Sequence, residues 1–137
     1  MPAPLLPRLR KLCLSFHDTT EVKAWGEPTF RVRGRLFAMY AAAGNHHGEG
    51  REALWLNCTV MNQALMIADN PKRFFKPAYV GAYGWVGVYL DARPSWKLVS
   101  LVVQDAYDLT LSKLKKRTDR RPETGDRRPA STAPRKR

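Results

Sequence analysis

Residues 25–38 read Trp-Gly-Glu-Pro-Thr-Phe-Arg-Val-Arg-Gly-Arg-Leu-Phe-Ala, a stretch with the pattern of a β-hairpin. Its pattern of apolar and polar residues predicts two strands, at residues 29–32 and 35–40. Residues 33–34, Arg-Gly, fit a two-residue hairpin turn, because the glycine can supply the positive φ that such turns need. The two-residue period of a strand then directs Phe30 and Val32 towards a core.

Three helices are predicted on either side of this hairpin from apolar spacings of three and four residues. They lie at residues 5–16, 60–69 and 95–114. Thr59 and Ser95 are suited to cap the second and third helices. In the second helix Met61, Leu65 and Ala68 form an apolar stripe, which is typical of a helix face that packs on a core.

The remaining segments read as strands and connections. Further strands are predicted at residues 22–25, 53–56 and 85–90, a turn at 26–28, a mobile loop at 41–50, and a connector rich in aromatics and glycine at 72–83. Strands joined by short turns favour an antiparallel sheet with helices on one face. The expected fold class is therefore α+β, in two layers.

Charge divides the chain into two parts. The 137 residues contain 24 Lys plus Arg and 12 Asp plus Glu, a formal net charge of +12. Residues 115–137 combine clustered Lys and Arg with proline and small polar residues, a composition that cannot bury enough surface to fold. We therefore expect a domain at residues 1–114 and a disordered Lys/Arg/Pro-rich tail at 115–137.

Composition also excludes several classes of protein. The sequence has no run of about 18 apolar residues, so no membrane helix is expected, and its first residues lack the apolar segment of a secretory signal. The two cysteines, Cys13 and Cys58, are too few for a disulfide framework and are expected to be partly buried thiols. These features favour a cytoplasmic protein with no membrane partner.

Three stretches of this sequence resemble the MmcQ/YjbR-like proteins. Residues 25–38 are similar to that family's "W-G-x-P-x-F-x-V-x-G-K-x-F-A" stretch, and Phe74, Pro77–Tyr79 and Gly84–Val86 to its "F-x-P-A-Y…G-W-V" stretch. The last helix, with residues 105–109, is similar to the family's terminal helix. The resemblance spans about residues 5–114. A loop containing His46 and His47 and the basic tail depart from the family's pattern.

The resemblance implies a fold and a function. The family's order is α-β-β-β-α-β-β-α, with an antiparallel sheet of about five strands and helices on one side. Its members are commonly described as DNA-binding through a proposed double-wing motif, and we expect this chain to be a bacterial-type protein of that kind. They are not known for an active site or a cofactor, so the resemblance implies neither here.

Three arginines on the hairpin are the first candidate contacts to DNA. Arg31 and Arg33 would point outward from the same strand, and Arg35 leaves the turn beside them. Guanidinium groups match phosphate oxygens in geometry, so the hairpin could contact a phosphate backbone. The alternative is that these arginines lie on the solvated outer face of a hairpin, where their charge protects a sheet edge.

The tail is the second candidate. Its basic residues occur in clusters that a flexible chain could lay along phosphates, giving salt-dependent binding to DNA or RNA. The residues concerned are Lys115, Lys116, Arg117, Arg120, Arg121, Arg127 and Arg128. An acidic protein is an alternative partner for the same residues.

Other side chains give weaker signals. The adjacent His46 and His47 would point to opposite sides of a strand, so no metal site is expected. Trp25 and Trp85 could stack on bases but are expected to be buried, whereas Tyr83 is expected to be exposed. No catalytic motif is present. The sequence therefore favours a non-enzymatic DNA-binding protein, with a protein-interaction module or a small-ligand sensor as alternatives.

Overall fold

The computed structural model describes residues 5–43, 50–91 and 93–120, with side chains as far as Lys115. The elements in chain order are α1 (Leu5–Leu14), β1 (Thr19–Ala24), β2 (Glu27–Val32), β3 (Arg35–Ala41), β4 (Ala53–Leu56), α2 (Val60–Asp69), β5 (Phe74–Phe75), a 3-10 helix (Val80–Tyr83), β6 (Val86–Tyr89) and α3 (Trp96–Arg120). The α+β class is confirmed. The described chain has four strands before α2, one more than the family order implied.

The strands form one antiparallel sheet in the order β1-β2-β3-β4-β6-β5. The predicted turn at Arg33-Gly34 is confirmed, with φ values of 50° and 83°. A second turn of this kind, Trp25-Gly26, joins β1 to β2 with φ values of 55° and 79°. Two successive positive φ angles are the signature of a type I′ hairpin. The predicted turn at residues 26–28 was therefore too long, because Glu27 already belongs to β2.

A β-bulge in β3 changes the side of the sheet to which the residues before it point. Phe30 pairs with Ala38 whereas Arg31 pairs with Leu36, so Phe37 is the extra residue on β3. Phe37 and Ala38 consequently both enter the core on the helix side of the sheet. Leu36 is thereby directed to the opposite face, which we call the outer face.

Helices α1 and α3 cover the inner face of the sheet. Phe30 and Val32 are fully buried, as predicted, and they pack with Leu9 of α1 and Val103 of α3. Tyr107 of α3 stacks on Phe16 with ring centroids 4.7 Å apart. These contacts confirm the expected layer of helices on one face.

The expected orientation of α2 was wrong. Its cap is confirmed, since Thr59 accepts a hydrogen bond from the Asn62 N–H. Met61 and Leu65, however, are 73% and 61% exposed, and Gln63 is the residue that is buried. Met66 and Ile67 supply the apolar contact with the inner core instead.

The outer face of the sheet is also covered, by the connector between α2 and β6. Phe75 joins Met39 and Trp55 in a second buried cluster on this face. Gly87 makes this possible, because a Cβ there would lie 2.2 Å from the Phe75 ring. The predicted connector contains β5 and the 3-10 helix.

The last helix continues to Arg120, six residues beyond its expected end at Leu114. Residues 121–137 and most of the predicted loop, residues 44–49, lie outside the described residues. None of the helices in the described part is both long and apolar enough to cross a membrane.

We predict that the Cys13 thiol makes stability fall in alkaline solution. Cys13 is fully buried, and this desolvation, with a smaller contribution from Glu21, raises its pKa to about 12 from 9.0. The unfolded chain releases this proton near pH 9 whereas the folded protein retains it, so rising pH favours unfolding. Urea unfolding from about pH 8 to 11 should show a pH slope that is shallower by about 1.4 kcal/mol per pH unit in Cys13→Ala.

The control for this measurement is Cys58→Ala. Cys58 is 9% exposed, and its raised pKa has desolvation as the main cause. Since its thiol is less deeply buried than that of Cys13, its removal should change the slope less. Equal slopes in the unmodified chain and in Cys13→Ala would contradict the prediction.

Candidate nucleic-acid interface

The three hairpin arginines occupy different environments. Arg33 lies in the turn rather than on the strand, and its Nε donates to Asp18 Oδ2 at 3.0 Å. Arg31 is half-buried on β2, with its Nε 3.4 Å from the Thr29 hydroxyl, and Arg35 is exposed at the start of β3. The predicted set of three is therefore divided, because one guanidinium already has a carboxylate partner.

Arg31 and Arg35 line a shallow depression of about 350 Å³ at the hairpin end of the sheet. We call it the basic depression, and the residues that line it include Arg31, Arg35, Asn57, Trp85, Thr110 and Lys113. Its floor is ordered by a hydrogen bond of 2.7 Å from the Asn57 amide to the Thr110 hydroxyl. Lys113 comes from α3, which brings a third cation to the site.

Two other arginines of the described chain form ion pairs with carboxylates, whereas the three cations of the basic depression do not. Arg10 donates to both carboxylate oxygens of Glu21, and Arg51 does the same to Asp91. Arg31, Arg35 and Lys113 form no ion pair within the described residues, and no described acidic residue lines the depression. Their charge is therefore available to an anion.

A second concavity, of about 180 Å³, adjoins the basic depression on the outer face. We call it the aromatic pocket, and it is lined by Trp25, Leu36, Met39, Trp55, Tyr79, Val80 and Trp85. Leu36 and Trp85 line both concavities, so the two are contiguous. An apolar aromatic surface thus lies directly beside a group of cations.

Two walls of the aromatic pocket stand on backbone that L-residues rarely adopt. Trp25 occupies the first position of its type I′ turn, where Asn, Asp or Gly is usual, and is 58% exposed. Tyr79 has φ 63° and ψ −73°, and the Val80 N–H donates to the Ala78 carbonyl across it, a γ-turn of the rare, strained kind. The backbone conformations at Trp25 and Tyr79 are therefore unfavourable, and the surrounding fold must stabilise them.

The predicted burial of the aromatic residues was right in part. Trp25 is exposed rather than buried, and Trp85 is half-buried. Tyr83 is 79% exposed, as predicted, but it does not line the aromatic pocket. Trp55 forms the floor at 1% exposure, and its Nε1 has no acceptor within the described part of the chain.

Gln63 holds the connector wall of the pocket in place. Its buried side-chain amide donates to the Gly81 carbonyl at 2.8 Å and to the Trp85 carbonyl at 2.6 Å. Gly84 brings the same segment against the start of α2, where a Cβ would lie 2.8 Å from the Val60 nitrogen. The segment from Tyr79 to Trp85 is therefore fixed to α2 by both hydrogen bonding and close packing.

The remaining predicted site residues lie along α3 or beyond it. Lys115 is exposed on the helix. Lys116, Arg117 and Arg120 are also helical, whereas Arg121, Arg127 and Arg128 lie outside the described residues. The two histidines of the predicted loop lie outside as well, and the described residues contain no cluster of His, Cys, Asp and Glu suited to a metal.

The fold and these motifs agree with a family match. The model of the YjbR family matches residues 14–109. The chain belongs to the YjbR family. The match includes the Trp25 hairpin, the connector with its Gly84-Trp85 pair and α3 as far as Leu109, so every residue that lines the aromatic pocket lies in the matched YjbR domain. Thr110 and Lys113 of the basic depression lie just beyond the matched residues.

A solved structure supports the fold of this YjbR domain. Protein DR2400 of Deinococcus radiodurans, which has a DUF419 domain, is similar over 76% of each chain, with a TM-score of 0.62 and 17% sequence identity. At this level of identity the likeness shows the fold alone. No curated protein matches the chain.

Sequence reasoning missed two components of the interface. Lys113 reaches the basic depression only because α3 crosses the sheet beside β3, a contact that no local pattern encodes. Gln63 gave no local signal, since it follows the polar Asn62 in the helix, and its two acceptors lie 18 and 22 residues away. The aromatic pocket could have been suspected from Trp25, an unusual residue for a tight turn.

We predict that Gln63→Met destabilises the YjbR domain by about 2 kcal/mol, because it keeps the side-chain length but removes both donated hydrogen bonds from a buried site. Urea unfolding of the full chain measures the change. Gln104→Met is the matched control, since Gln104 is exposed on α3, and it should change stability by about 0.5 kcal/mol or less. Similar decreases in the free energy of unfolding in the two variants would contradict the prediction that the Gln63 hydrogen bonds stabilise the domain.

Proposed function

We propose that this YjbR protein binds DNA through its phosphate backbone, and that the basic depression is the folded part of the binding surface. The observation that carries this proposal is the meeting of Arg31, Arg35 and Lys113 around one concavity, with no acidic partner among the described residues. Lysine and arginine contacts to phosphate release counterions, which gives sequence-independent, salt-sensitive affinity. A net charge of +12 favours the approach of any polyanion.

The basic residues after Leu114 add to this surface in the proposal. Residues 115–120 extend α3 beyond Lys113, so that the helix carries further cations away from the depression. The arginines beyond residue 120 would extend the same positive potential along the nucleic acid. Arg33 contributes less, because Asp18 already offsets its charge.

Neutralising the basic depression should weaken DNA binding and reduce its salt dependence. The variant is Arg31→Gln/Arg35→Gln/Lys113→Gln in the full chain, measured by fluorescence anisotropy on a mixed-sequence duplex over a salt series. Loss of three phosphate contacts should lower the slope of log K against log salt by about 2 to 3. The affinity at about 150 mM salt should fall at least roughly tenfold.

The control removes the same number of charges elsewhere. Lys11, Lys23 and Lys97 are exposed and do not line either concavity, so Lys11→Gln/Lys23→Gln/Lys97→Gln has the same net charge as the test variant. We expect it to bind nearly as well as the unmodified chain. Equal weakening by the two variants would mean that overall charge, and not the basic depression, carries binding.

A further inference from the structure

We propose, building on the function proposed above, that the aromatic pocket receives one unpaired base of a single-stranded nucleic acid while the basic depression holds the adjoining phosphate. The two concavities share Leu36 and Trp85, so a ligand that spans them must join a flat apolar group to an anion over a short distance. A nucleotide unit of a strand has this construction.

The size of the pocket limits what can enter. A cavity of about 150 Å³ admits a single benzene-sized ring, and the aromatic pocket measures about 180 Å³. One base fits this space, whereas a base pair does not. A base within a duplex is stacked and paired, so it would have to leave the helix first at a cost in free energy. The pocket therefore favours single strands.

The charge around the pocket decides between two kinds of aromatic-site ligand. Pockets built from several aromatic rings also bind quaternary ammonium groups. Here Arg31, Arg35 and Lys113 lie at the adjoining concavity, and they would repel a cation. The same three groups attract the phosphate that accompanies a base. Stacking of bases on aromatic side chains tolerates any base, so little sequence preference is expected.

The strain in the pocket walls supports a binding role. Trp25 and Tyr79 both have positive φ, at 55° and 63°, and both line the pocket. Unfavourable backbone of this kind concentrates at ligand sites, where the surrounding fold holds it in place.

The experiment compares full-length protein on four labelled probes of about 12 nucleotides. These are a mixed-sequence deoxy strand, the ribo strand of the same sequence, the deoxy strand with every base replaced by an abasic site, and the duplex. At about 150 mM salt we expect the deoxy or the ribo strand to bind roughly tenfold more tightly than the abasic strand and the duplex. The base-containing strand should also quench tryptophan fluorescence, whereas the abasic strand should not.

Trp25→Asn is the decisive variant. Asparagine suits the positive φ of this turn better than tryptophan does, so the domain should remain folded with an unchanged or raised Tm. Its affinity for the single strand should fall roughly tenfold, while its affinity for the abasic strand should stay the same. Tyr79→Gly, which suits the γ-turn, is a second variant with the same expectation. Tyr83→Asn is the control, because Tyr83 is exposed outside the pocket.

The outcomes separate this proposal from the proposed function. Equal affinity for the base-containing, abasic and duplex probes would overturn the base pocket and leave phosphate binding intact. Equal loss in Trp25→Asn and Tyr83→Asn would overturn it too. Failure of all four probes to bind would overturn both proposals together.

Discussion

The two hydrogen bonds donated by the buried Gln63 amide determine how the outer face of the sheet is covered. On the inner face, α1 and α3 bury the strands, and Met66 and Ile67 of α2 pack against the same core. On the outer face the short connector with its 3-10 helix, rather than a long α-helix, covers the strands. That connector has little regular structure of its own, so its carbonyl groups need partners from elsewhere. Gln63 supplies two of these partners, and both concavities of the interface depend on the position that it fixes.

The hairpin could be predicted from sequence because its determinants are local. Turn residues 33–34 and the burial of Phe30 and Val32 follow from neighbouring letters alone. The bulge at Phe37 could not be predicted in this way, since an extra residue leaves the apolar pattern readable in either register. Its effect is nevertheless large, because it directs Leu36 to the outer face, where that side chain lines both concavities.

The orientation of α2 shows where local apolar pattern fails. Met61 and Leu65 have the right spacing for a core face, yet they are exposed, and Gln63 is buried in their place. The reason is that burying this amide satisfies connector carbonyls distant in sequence, and the helix must turn that face inward to do so. A pattern of apolar residues contains no information about these hydrogen-bond partners. Lys113 escaped prediction for a related reason, as its contribution depends on where α3 crosses the sheet.

The two type I′ turns of the sheet make an instructive pair. Each places a large L-residue at a positive φ before a glycine, and each therefore carries a similar backbone cost. At the first position of the β2–β3 turn, Arg33 is held by Asp18 through both its side chain and its backbone N–H. Trp25 in the β1–β2 turn is 58% exposed at the rim of the aromatic pocket. Asparagine is more usual at the first position of such a turn, so the backbone conformation alone does not account for the tryptophan, whose ring lines the aromatic pocket.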